Sequence, residues 1–212
     1  MDPPECSGHS HDHGDHTDDL GLSLRPCIDF DRVYCLNEEV AGSGKAILKL
    51  HEERLSDFPV LLSPDDDPEL LLHIPFTEAV VLKSISVRNA RVCRVKLFAD
   101  RTSTVNDCDT ARDATADQVL QLLPPEHFGE GTIDYPCRPA GRFSQISSLT
   151  LFFEEIGDGE EEEVALSISF VGLKGKGTNI KRVAVETVYE SRGMKKDHKV
   201  PGEGFGAHSS VT

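Results

Sequence analysis

Tryptophan is absent from this chain of 212 residues, and aromatic residues of any kind make up 6%. The core must therefore be filled by Leu, Ile, Val and ten Phe. Sugar-binding grooves want exposed aromatics beside polar groups, and Tyr34, Tyr135 and Tyr189 are the only tyrosines on offer. Long apolar runs are missing too. Stretches such as Leu70 to Leu72 and Ala79 to Leu82 fall far short of the ~20 residues of a spanning helix. The N-terminus lacks the positive and then apolar profile of a signal peptide. The expected location is the cytoplasm, extending to the nucleus, with no membrane partner. Six cysteines are present, but no pair is spaced Cys-x-x-Cys, so neither a zinc knuckle nor a thioredoxin-type redox pair is written here. Free thiols are the default in a reducing compartment. Cys35 and Cys93, set in apolar runs, read as small core residues.

Positive charge is also in short supply. Lys plus Arg number 22 against 37 Asp plus Glu, a formal charge of −15. That argues against general affinity for nucleic acid, which needs cations to displace counterions, and against acidic membrane surfaces. The deficit is uneven. Residues 1–23 hold six acidic side chains and no Lys or Arg, a local −6. Residues 174–199 hold eight basic and three acidic side chains, and residues 83–101 six basic and one acidic, each a local +5. Such stretches are either the solvated faces of strands or a contact surface for an acidic protein.

What the chain does have is alternation. Leu166-Ser-Ile-Ser-Phe170, Val183-Ala-Val-Glu-Thr187 and Val95-Lys-Leu97 put every second side chain on an apolar face, the period of a half-buried strand. Ile85 to Arg88 and Leu149 to Phe152 fit less cleanly. Ala46 to Leu50, Leu70 to Phe76 and Thr132 to Tyr135 are further candidates, while Val119 to Leu123 suits strand or helix. Phe30, Val33 and Tyr34 are spaced for a short helix or turn. Gly172 to Gly177 reads as a basic, glycine-rich turn between two strands. Roughly eight to ten short strands, punctuated by turn-rich pieces such as Ser63 to Pro68, predict an all-β sandwich or barrel. Residues 1–23 are expected to be a disordered His/Asp-rich tail. Residues 24–200 form the domain, and residues 201–212 a flexible C-terminal tail.

Residues with chemistry are few. His9, His11, His13 and His16 could offer imidazoles to Zn, Ni or Cu. An unstructured tail loses about 1–2 kcal/mol of entropy per residue it orders, so adventitious binding is the expectation and no resident cofactor is called for. There is no Gly-x-Ser-x-Gly elbow, and Gly42-Ser-Gly44 lacks the Gly-Lys-Ser/Thr ending of a phosphate loop. The acidic runs at Asp65 to Asp67 and Glu160 to Glu163 read as solvated loops. His51 and His73, in or beside apolar runs, read as satisfied structural histidines. Pro75 suits a strand edge or bulge because it donates no ladder bond, with Phe76 packed inside. No combination of residues adds up to an active site, and a non-enzyme is expected.

Several segments in order carry a resemblance. They are Leu36-Asn-Glu38, Gly42-Ser-Gly44, Asp65 to Asp67 and Glu69-Leu-Leu-Leu-His-Ile-Pro-Phe-Thr77. Arg142-Phe-Ser144, Phe170-Val-Gly-Leu-Lys-Gly175, Tyr189-Glu190 and Asp197-His-Lys-Val200 follow. Together they resemble the PITH family, the proteasome-interacting thioredoxin-associated domain, over about residues 25–200. Gly177 stands near the place where that family usually has a Trp. The resemblance implies a jelly-roll-like β-sandwich similar to galactose-binding domains, with no known catalytic residues. It also implies a monomeric regulator or adaptor associated with the 26S proteasome, through a subunit of the regulatory particle. Within that expectation, Lys174, Lys176, Lys181, Arg182, Lys195 and Lys196 are the candidate contacts for an acidic partner. The alternatives are a small-ligand or carbohydrate-binding β-sandwich and a metal-handling protein using the His-rich tail.

Overall fold

The structure is a computed structural model that describes residues 21–124, 132–156 and 165–179. Residues 1–20 of the His-rich tail, the Val183 to Thr187 strand and the C-terminal tail lie outside the described residues; Leu22 and Ser23, expected to belong to that disordered tail, instead form a strand because their backbone pairs with Gly175 and Lys174. Among the described residues nine strands and two short helices follow in order: β1 (Leu22–Ser23), β2 (Tyr34–Leu36), α1 (Ser43–Ala46), β3 (Leu61–Leu62), β4 (Glu69–Asn89), β5 (Cys93–Ala99), α2 (Cys108–Asp113), β6 (Gln118–Leu122), β7 (Asp134–Pro136), β8 (Ile146–Glu155) and β9 (Ser167–Gly177).

Strand β4 organises the rest. Its first half pairs antiparallel with β2 and β8, and its second half with β9 and β7. The register shifts between Pro75 and Val80. Pro75 can stand there because it has no N–H to place in a ladder, while its carbonyl accepts from the Asp29 amide at 2.9 Å. At this irregularity the strand passes from one layer to the other, the usual corner of a β-sandwich. The front layer is β2-β4-β8-β5-β6; in the back layer β9 lies between β4 and the short strands β1 and β3.

Alternation decides which face each residue takes. Leu70, Leu72 and Ile74 join Val80, Leu82, Ile85, Leu151, Phe153 and Leu173 in one buried cluster between the layers. Leu71 points the other way and packs with Phe98 and Phe152 beneath Val105 and Ala111, the last of these on α2. The front layer is thus covered on both faces, which is why the Glu69 to Phe76 segment is almost continuously apolar. Helix α2 begins at Asp107, whose carboxylate accepts from the Thr110 amide at 2.7 Å. The all-β sandwich expected from the sequence is the fold observed, with Phe76 buried as anticipated. The five described cysteines are free thiols, and Cys93 is a core residue.

Three local expectations need correction. Ala46 to Leu50 is not a strand. Glu38 instead accepts from the Gly42 and Gly44 amides at 2.5 and 2.8 Å and winds the chain into α1, with Gly42 at φ +86°. Leu70 to Phe76 and Ile85 to Arg88 are not separate strands but parts of β4. Gly172 to Gly177 is not a turn but the second half of β9. Glycine is required at Gly175 because a Cβ there would lie 2.0 Å from the Val81 carbonyl oxygen.

Candidate functional site

The short strand β1 sets the geometry of a surface cleft. Leu22 pairs with Gly175 and Ser23 with Lys174. The Leu24 amide then donates to the Leu173 carbonyl at 2.8 Å. A 3-10 turn over Arg25–Cys27, with Pro26 in its first turn, leads the chain away. Between this corner, β9 and the segment around His51 lies a cleft of about 220 Å³. Ile28, Leu48, Phe170 and Leu173 supply its apolar wall, and Arg25, Lys49, His51 and Lys174 its basic groups. No Asp or Glu is among the described residues that line it.

The basic groups differ in how they are held. The Lys174 ammonium pairs with Asp134 at 2.6 Å, and the Ser86 hydroxyl donates to the same carboxylate. Lys49 is buried, and its ammonium donates to the Ser56 and Phe58 carbonyls at 2.8 and 2.9 Å. Burial lowers its pKa. His51 is pushed below its ordinary value by burial and by Arg54 and Lys174, so it is neutral near pH 7. Arg25 donates from Nε to the Leu48 carbonyl at 2.9 Å, and its guanidinium lies 4.8 Å over the Phe30 ring. Its two outer nitrogens make no hydrogen bond among the described residues. Leu22, at the cleft, is 81% exposed.

Of the residues singled out from the sequence, Lys174 stands in the cleft and Lys176 is exposed two positions further along β9, on the same face. Lys181, Arg182, Lys195 and Lys196 lie outside the described residues, as do His9, His11, His13 and His16. The other basic stretch, residues 83–101, is substantially neutralised. Arg88 pairs with Asp57, Arg94 and Lys96 with Glu154, and Arg101 with Asp117. Sequence reasoning missed Arg25 and Lys49. Arg25 sits beside Lys174 only because β1 pairs with a strand some 150 residues later, and Lys49 is embedded in an apolar run.

A second, more open cavity of about 500 Å³ flanks the bend of β4, with Asp29, Arg32, Asp100, Thr102 and Ser148 among its lining. Asp100 accepts from the Ser147 and Ser148 amides at 2.8 and 2.9 Å. At its base His73 is bonded to the Thr150 hydroxyl at 3.0 Å and packs 4.9 Å from the Tyr34 ring. Burial and Arg32 bring its pKa down to about 4, as suits a structural histidine. The thiols are held protonated. Burial, with help from Glu78, raises Cys27 to about 11, and burial alone takes Cys93 and Cys137 to about 12. Among the described residues no group of three His, Cys, Asp or Glu side chains is placed to hold a metal ion.

These features define a two-layer β-sandwich domain whose accessible cleft joins apolar walls to basic groups. Its sequence assigns it further: the PITH domain family signature matches residues 14–193, and the chain belongs to the PITH domain family. It is 36% identical over 208 residues to PITH domain-containing protein CG6153 of Drosophila melanogaster, covering 91% of this chain and 93% of that protein. It is 33% identical over 199 residues to PITH domain-containing protein 1 of Dictyostelium discoideum, covering 92% and 93%. Among solved structures it is similar to CBM32-3 from a family 31 glycoside hydrolase of Clostridium perfringens. That likeness has a TM-score of 0.43 and 16% identity, over 71% of this chain and 95% of the other.

Proposed function

We propose that this PITH-domain chain is a non-enzymatic interaction module that associates, as a monomer without a cofactor, with a regulatory-particle subunit of the 26S proteasome in the cytoplasm and nucleus. The observation that carries the reading is the pairing of charge with exposed apolar surface on β9 and β1. Lys174 and Lys176 share a face of one strand, beside a Leu22 side chain that is 81% exposed. An apolar contact ringed by charge is how protein interfaces are commonly built. The titratable groups favour binding over chemistry, since the buried thiols are kept protonated and His73 neutral. The test is capture of proteasome subunits from cell extract at low and high salt. Lys176→Glu, and reversal of Lys181, Arg182, Lys195 and Lys196 together, are expected to reduce capture and flatten its salt dependence. Unchanged capture at both salt concentrations would sink the reading.

The cavity at the β4 bend supports a second reading, a small polar ligand such as a carbohydrate. Its volume of about 500 Å³ falls within the usual range for ligand pockets, and the Ser147 hydroxyl beside it is buried without a hydrogen-bond partner among the described residues. A glycan array without hits would close it.

A further inference from the structure

We propose that the cleft between β1 and the His51 segment is a receptor for an apolar–acidic peptide segment. Arg25 takes the carboxylate, and the neighbouring apolar side chain of the partner rests on Leu48, Ile28 and Leu173. The inference rests on reading the domain as a protein-binding module and names what that module recognises.

Size excludes the simplest competitor. Pockets for drug-sized molecules run from roughly 300 to 1,000 Å³, and this cleft holds about 220 Å³. That is room for one side chain or two presented by a larger partner. Charge then selects among side chains. The described lining contains Arg25, Lys49 and Lys174 and no carboxylate. Two of these cations are already engaged: Lys49 with the Ser56 and Phe58 carbonyls, Lys174 with Asp134. Arg25 differs, because Nε holds the Leu48 carbonyl while both outer nitrogens have no hydrogen bond among the described residues.

A guanidinium offers its donors as a planar fork that matches a carboxylate. Here the bond to Leu48 and the stack on Phe30 fix the plane of the fork before any partner arrives. Ordering this long side chain, which otherwise opposes binding, has been done by folding. The bond that orients Arg25 runs to Leu48, which is itself part of the apolar wall. Carboxylate and apolar group must therefore be close neighbours on one face of the ligand, as residues two apart in an extended peptide are. A lone anion would leave the wall wet, and a purely apolar segment would leave the fork unpaired.

The experiment is a ¹⁵N-HSQC titration of the full-length protein with two blocked tetrapeptides, Ac-Leu-Gly-Glu-Gly-NH₂ and its Gln counterpart, in which Leu and Glu share a face when extended. The expected result is saturable shifts at the amides of Leu22, Ser23, Arg25 and Leu173. The Gln peptide should bind about five-fold more weakly, the difference between a charge-assisted and a neutral hydrogen bond. Added salt should narrow that gap. Arg25→Gln should abolish the preference for Glu, and Arg25→Lys should keep the preference at reduced affinity, since charge remains and the fork is lost. Equal affinity for the two peptides would overturn the proposal. So would shifts confined to other surfaces, or no titration in the full chain because the cleft is closed or filled by another part of it. The Glu/Gln comparison needs no variant and stands even if the Arg25 variants fold poorly. The proteasome reading fails separately: peptide binding retained with proteasome capture absent would remove the partner and leave the receptor.

Discussion

His73 faces away from the main core on β4, held between the Thr150 hydroxyl and the Tyr34 ring, with a pKa of about 4. In the unfolded chain the same imidazole titrates near 6.5. Between those two values the unfolded state binds a proton that the folded state refuses. Stability therefore falls as pH falls from 6.5 toward 4, and this contribution levels off below the folded-state pKa. From pH 7 to pH 5 the loss is roughly 2 kcal/mol for this residue. His73→Gln removes the titration while keeping a side chain that can bond to Thr150. In urea unfolding at the two pH values, the wild-type protein should lose about 2 kcal/mol more than the variant, because every other titrating group is common to both. Equal losses would mean that His73 is protonated in the fold. The structural role of this histidine was legible from the sequence, since a lone His in Leu-Leu-Leu-His-Ile has few ways to be tolerated except neutral and bonded. Arg25 was not legible. Its neighbours are set by strand pairing across most of the domain, and nothing in Leu24-Arg-Pro-Cys27 announces it.

Strand β9 shows where element-level reading succeeds and where it fails. The alternation Leu166 to Phe170 located its first half, because there the side chains carry the period. The second half, Gly172 to Gly177, resembled a turn because glycine is the commonest turn former. In the structure these glycines serve close approach, by backbone at Gly175 and by the Phe170 and Glu78 side chains at Gly172 and Gly177, which leaves no periodic trace in a sequence. A Cβ on Gly175 would lie 2.0 Å from the Val81 oxygen and 3.1 Å from the Leu24 side chain. Backbone cannot swing aside as a side-chain tip can. Gly175→Ala should cost at least about 3 kcal/mol and disturb β1 with it. Gly141, with nothing within 4 Å of its ideal Cβ, provides the control. Gly141→Ala should stay within about 0.5 kcal/mol of wild type. Thermal melts of the two variants check the contrast, and a Gly175→Ala protein as stable as wild type would place β9 in a different register. Gly177 is a milder case. The space beside it is taken by the Glu78 carboxylate, which also accepts from the Cys27 thiol.

At the scale of the whole molecule, β4 binds the two layers into one cooperative unit. It supplies a central strand to the front layer through Glu69 to Pro75 and to the back layer through Val80 to Asn89, without leaving the ladder for a loop. Unfolding the front layer alone would strip β8 from β4 and expose Leu70, Leu72 and Ile74. These pack in the same cluster as Ile85 and Leu173 of the back layer. Burying each such side chain contributes about 1.5–3 kcal/mol, so a partial opening gives up most of the core while keeping little of it. Local opening is favoured only where few such contacts are lost. Native-state hydrogen exchange should therefore report one shared free energy for amides in both halves of β4, for example Leu72 and Ile85, equal to the global value from urea unfolding. The edge strand β6, where Val119 is 54% exposed, should exchange at a lower free energy. If Leu72 exchanged through an opening that left Ile85 protected, the layers would be separate folding units, and the bend at Pro75 a hinge between them rather than a corner of one sandwich.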